Sequence, residues 1–62
     1  MGKVRVVHIT SLEFIERKNI PEDLKQESLG PWFVILGTAI QGRYLTEERA
    51  EKAAQELEAY FS

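Results

Sequence analysis

The second half of the chain holds the feature that most restricts the fold: two apolar runs that lead straight into a helix-forming stretch. Residues 32–36 (WFVIL) and 40–45 (IQGRYL) have the β-branched and aromatic composition of strands. Residues 37–39 (GTA) between them are typical of a hairpin turn, and Gly42 marks a candidate bulge. Residues 46–61 follow at once and are rich in Ala and Glu. The pattern predicts a β-hairpin that feeds directly into a helix.

The apolar side chains of residues 46–61 recur at the three- and four-residue steps of an α-helix. Thr46 is a favourable N-cap, and Glu47 and Glu48 follow in the first turn, where carboxylates interact well with the helix dipole. The expected buried stripe consists of Ala50, Ala53, Ala54, Leu57, Tyr60 and Phe61. Its alanines would let the helix approach a sheet closely, with the larger side chains filling the far end.

A third strand is predicted at residues 4–9 (VRVVHI), which are mostly β-branched and apolar on both faces. The stretch from residue 11 to residue 18 fits either a short helix capped by Ser11 or extended chain, and we expect a helical turn. Pro21 is typical of the start of another short helix, which Gly30 would end. The connector between the first strand and the hairpin is therefore predicted to be helical or irregular.

These elements predict one α+β domain over residues 1–62, with a small three-stranded, mainly antiparallel sheet packed on one C-terminal amphipathic helix. One helix covers only one face of a sheet. The run at residues 32–36 is apolar on both faces, because Phe33 and Ile35 point one way and the other three side chains point the opposite way. One apolar face is expected to stay exposed unless the connector folds across it.

The composition disfavours several kinds of chemistry. The chain has no cysteine and one histidine, His8, so it lacks the usual ligands of a zinc site. No serine has a spacing that links it to His8, and no glycine-rich phosphate loop is present. We expect a non-enzymatic protein without a catalytic residue, metal or cofactor. No apolar run approaches the ~20 residues of a membrane span, and no secretory signal is evident, so we expect a soluble, cytoplasmic protein without a membrane partner.

The leading functional prediction is a small interaction module that acts through the apolar sheet face. A domain of this size buries only about 60% of its unfolded surface, and association is a common way to gain stability without disulfides or metals. We expect a homodimer or other homo-oligomer, or else binding to a protein partner in the manner of an adaptor or inhibitor. The predicted partner-binding residues are Phe33, Ile35, Trp32, Val7 and Ile9.

Nucleic-acid binding is the alternative prediction. The sequence Gly42-Arg43-Tyr44-Leu45-Thr46-Glu47-Glu48-Arg49-Ala50, continued to Ala53, resembles the strand-to-helix step of AP2-type and integrase arm-type DNA-binding domains. The resemblance implies a three-stranded sheet that enters the major groove with a helix behind it. Its candidate contacts here are Lys3, Arg5 and Arg43. Those families carry several cations across the strands, whereas the hairpin here offers Arg43 alone, and the net charge of −2 disfavours contacts with phosphates.

Overall fold

The computed structural model describes residues 4–61, which form a three-stranded sheet and two α-helices. In chain order these are β1 (Val4–His8), α1 (Phe14–Lys18), β2 (Trp32–Leu36), β3 (Ala39–Tyr44) and α2 (Glu47–Phe61). Residues 9–31 form the connector, which contains α1 and three short 3₁₀ turns at Ile9–Ser11, Glu22–Leu24 and Glu27–Leu29. The predicted α+β class is confirmed.

The sheet is antiparallel throughout, and β2 lies between β1 and β3. Along β1 and β2 the register runs from Val4 opposite Leu36 to His8 opposite Trp32. A two-residue turn joins β2 to β3, and Gly37 adopts a φ of 65° at its first position, which favours glycine. The turn is one residue shorter than the sequence predicted.

A β-bulge interrupts β3. Val34 lies opposite Gly42 and Ile35 lies opposite Ile40, so Gln41 is the extra residue between two regular pairs. The irregularity therefore sits beside the glycine that the sequence marked. The ring of Tyr44 occupies the space where a side chain at Gly42 would lie, since an added Cβ would come within 2.8 Å of it.

One face of the sheet packs on α2, as the periodicity predicted. The Thr46 hydroxyl accepts a hydrogen bond from the backbone N–H of Arg49 at 3.1 Å, which confirms the N-cap. Ala50 and Ala54 are buried directly against Val34. The side chains packed around these three are Val4, Val6, Trp32, Tyr44, Ala53 and Leu57.

The end of α2 differs from its prediction. Tyr60 and Phe61 were expected to fill the core but are 82% and 52% exposed, and their rings contact each other edge to face. A helix of 15 residues is about 22 Å long, whereas strands of five residues span about 17 Å. The helix therefore extends past the sheet that it covers.

The connector covers the opposite face, which is the one arrangement expected to leave neither apolar face of β2 exposed. Both side chains are fully buried in a cluster with Leu12 and Ile40. Half-buried Val7, Ile9, Ile20 and Leu24 complete this cluster. A short helix is present as expected, but its cap is Glu13 rather than Ser11, and the Glu13 backbone N–H donates to the Glu16 carboxylate at 3.0 Å. The sheet thus lies between a regular helix and an irregular segment.

Candidate functional site

Two arginines hold the connector against the sheet, one from each outer strand. Arg43 on β3 is buried and donates to the backbone carbonyls of Gly30 and, at 3.0 Å, Leu24. Its guanidinium also lies 4.8 Å from the centre of the Phe33 ring. Arg43 therefore joins the last part of the connector to the core that the connector covers.

Arg5 on β1 holds the first part of the connector. It donates to the Glu16 carboxylate of α1 at 2.6 Å and to the Gly37 carbonyl at 3.2 Å. Glu16 is only 3% exposed. The hydrogen bond from the Glu13 backbone N–H, together with the nearby Arg5 guanidinium, holds the pKa of the Glu16 carboxyl below its ordinary value of 4.5. This ion pair anchors α1 beside β1.

Two of the three cations predicted for nucleic-acid binding therefore have structural contacts. Arg5 and Arg43 lie on the same face of the sheet, but both are bonded to the connector. Lys3 lies outside the described residues. Nucleic-acid binding stays a prediction.

The residues predicted to bind a partner do not form one accessible surface. Phe33 and Ile35 lie under the connector, and Val7 and Ile9 pack half-buried against the same cluster. Trp32 lies on the opposite face, in the cluster packed on α2, with its ring edge against His8 at a centroid distance of 4.9 Å. A partner could contact Phe33 and Ile35 directly only if the connector left the sheet.

The outer edge of β1 is the more regular of the two sheet edges that the described strands leave unpaired. Ile9 N–H donates to Pro31 carbonyl at 2.7 Å and continues the β1–β2 ladder by one pair. Hydrogen-bonded and non-bonded pairs alternate along an antiparallel ladder, so Arg5 and Val7 also bond to β2. The N–H and C=O groups that point outward belong to Val4, Val6 and His8. No described strand lies on that side of β1.

The other edge of the sheet is less suited to pairing. The bulge at Gln41 breaks the regular spacing of N–H and C=O groups along β3. Natural proteins use bulges, prolines and lysines to protect such edges. β1 has none of these, and its one charged side chain, Arg5, is bonded to α1.

Two large apolar side chains are exposed on α1. Phe14 and Ile15 are 76% and 60% exposed on α1, the helix that Arg5 and Glu16 anchor to β1. Lys18 lies over the Phe14 ring at 5.3 Å. Sequence reasoning missed the β1 edge and the exposure of Phe14 and Ile15, although one signal for the edge was available: residues 4–8 contain no proline or lysine, and Arg5 is their one charged residue.

Other kinds of site find little support in the part of the chain that the structure describes. Within residues 4–61, no three His, Asp or Glu side chains lie close enough to hold a metal ion. Neither helix in that range is long and apolar enough to cross a membrane. Comparisons with protein-family models, curated proteins and solved structures found no match to this chain.

Proposed function

We propose that this chain is a non-enzymatic protein-interaction module that binds by adding a strand to the outer edge of β1. The observation that carries the proposal is the outward direction of the backbone groups of Val4, Val6 and His8. In strand addition, backbone hydrogen bonds supply affinity and the alternating side chains supply specificity. The proposal keeps the predicted function and moves its location from the face of the sheet to its edge.

The side chains near this edge suit a protein partner. Val4 and Val6 of β1 are half-buried and pack on the cluster beneath α2. An added strand would meet β-branched side chains, which pack well across a pleated sheet. The nearby Arg5 is already paired with Glu16, so it leaves no isolated positive charge at the edge.

Photo-cross-linking in the cells that make the chain tests the proposal. A photoreactive amino acid replaces Thr10, an exposed residue just beyond β1, and in a matched control it replaces Gln55 on the outer surface of α2. We expect an adduct at residue 10 and not at residue 55. The proposal is wrong if neither position, or both equally, gives an adduct.

Val6→Pro supplies the second arm of this experiment. The N–H of Val6 points away from β2, so proline removes a donor from the edge without breaking the β1–β2 ladder. Circular dichroism checks that the variant is folded. We expect the adduct at residue 10 to fall at least about tenfold, since each lost hydrogen bond is worth roughly 1 kcal/mol and the ring also hinders a neighbouring strand. An unchanged yield would contradict strand addition.

A further inference from the structure

We infer that the strand added to β1 is β1 of a second copy of this chain. This inference rests on the proposed function and names its partner. The two strands would run antiparallel about a two-fold axis at Val6, and the two three-stranded sheets would become one continuous sheet. Strand addition between identical edges gives a closed dimer, because each copy uses its only regular edge among the described strands.

The positions and directions of the outward-facing N–H and C=O groups along β1 support this register. With Val6 opposite Val6 of the second copy, Val4 lies opposite His8 of the second copy, and the reverse. Every outward N–H and C=O group of β1 then has a partner, with two hydrogen bonds in each pair. No outward group is left over at either end of the strand.

Charge distinguishes this register from its neighbours. A two-fold axis at Val6 places Arg5 opposite Val7 of the second copy, so unlike side chains meet. An axis at Arg5 would set the two Arg5 residues directly opposite each other, a like-charge pair that is unfavourable, and would leave His8 without a described residue of β1 opposite it. An axis at Val7 would leave Val4 unpaired. Of these three registers, only the one centred on Val6 avoids opposed Arg5 residues and pairs every outward-facing residue of β1.

The same symmetry arranges the layers consistently. A two-fold axis perpendicular to the sheet keeps both α2 helices on one face and both connectors on the other. Each α1 stays bonded to its own β1 through Arg5 and Glu16.

Single cysteines test the register, since the chain has no cysteine of its own. Hydrogen-bonded antiparallel partners have Cα atoms about 5.5 Å apart, which lies within the range of a disulfide. Val6→Cys should therefore oxidise to a covalent dimer. Val4→Cys is the matched control, because the two residues would be at least about 13 Å apart along the strands. A mixture of Val4→Cys and His8→Cys chains should cross-link, although neither does so alone.

Sedimentation of the unmodified chain tests the association itself. We expect a species of twice the 7.1 kDa chain mass that dissociates on dilution. Val6→Pro should weaken dimerisation at least about tenfold, whereas Val6→Thr, which keeps the N–H and the β-branch, should dimerise nearly as well. A dimer that survives Val6→Pro unchanged, or disulfides that form equally at residues 4 and 6, would overturn the inference.

The two proposals can fail separately. If the chain sediments as a monomer up to about 1 mM while residue 10 still cross-links to a different protein in a Val6→Pro-sensitive way, the second copy is wrong and strand addition stands. If the chain is monomeric and residue 10 gives no adduct, both proposals are wrong. Adducts of twice the chain mass, lost in Val6→Pro, support both.

Discussion

The two faces of β2 are buried by different means. On one face, Val34 meets Ala50 and Ala54 of a regular helix, whose backbone groups are largely bonded within the helix. On the other face, Phe33 and Ile35 meet a connector of short helical turns. The central side chains on the two faces of β2 are thus equally buried, although a regular helix covers one face and an irregular segment covers the other.

An irregular segment needs side-chain partners for carbonyl groups that its own backbone does not bond, because a buried carbonyl without a hydrogen bond is costly. Arg43 bonds the carbonyls of Gly30 and Leu24. Arg17 does the same near the start of the connector, donating to the carbonyls of Ile9 at 2.8 Å and Leu12 at 3.2 Å. Arginine side chains therefore donate to carbonyls of the connector the hydrogen bonds that backbone N–H groups donate within α2.

The largest effect is expected where the connector rejoins the sheet. Gly30 has a φ of 120°, and a Cβ there would collide with the Tyr44 carbonyl oxygen. Gly30→Ala combines a disallowed backbone angle with a backbone collision, and we expect it to lower the free energy of unfolding by about 4 kcal/mol or more. That is a large part of the total free energy of unfolding for a chain of this length, about 3–9 kcal/mol. Denaturant unfolding measures the loss.

Gly37→Ala is the matched control for that substitution. Gly37 also has a positive φ, 65°, but an added Cβ meets nothing within 4 Å. Only the backbone cost of about 1–2 kcal/mol should appear. Equal losses at the two glycines would mean that the junction between connector and sheet has little importance for stability.

A smaller effect is expected from the polar contacts of each face. Arg43→Met keeps an unbranched apolar stem but leaves the carbonyls of Gly30 and Leu24 without their donor, so we expect a loss of about 2–3 kcal/mol. Thr46→Ala removes the N-cap of α2 and should cost about 1 kcal/mol. Chemical denaturation of both variants compares the faces. A larger loss of unfolding free energy from Thr46→Ala than from Arg43→Met would contradict the greater importance of side-chain contacts on the connector face.

The face covered by α2 could be predicted from sequence because its signals are local. A Thr cap, acidic residues in the first turn and alanines at helical spacing predict the same helix, and α2 forms there. The exposure of Tyr60 and Phe61 was missed because periodicity gives the direction of a side chain around the helix. It does not give the position along the axis at which the sheet ends.

The connector face was harder because its contacts are distant in sequence. Arg43 and Leu24 are 19 residues apart, and Arg5 and Gly37 are 32 apart. No periodicity links such pairs, so Arg5 and Arg43 were interpreted as surface cations. The candidate site depends on the same kind of information, since the outward direction of Val6 follows from the β1–β2 register. Composition shows only that residues 4–8 form a strand without edge protection.

The smallest expected effect concerns pH and the Arg5–Glu16 pair, and it tests whether charge holds the connector. The pKa of Glu16 is lowered in the folded chain by its bond from the Glu13 N–H and by Arg5. The unfolded chain therefore binds the proton more readily, and the stabilisation from Glu16 is fully present above pH 4.5. It is lost as the pH falls below that value towards the folded-state pKa.

Glu16→Gln, which cannot ionise, should show a shallower loss of thermal stability on acidification, with Glu22→Gln on the exposed surface as the control. Parallel pH profiles for the parent chain and Glu16→Gln would show that the connector stays on the sheet through its apolar contacts and Arg43 alone.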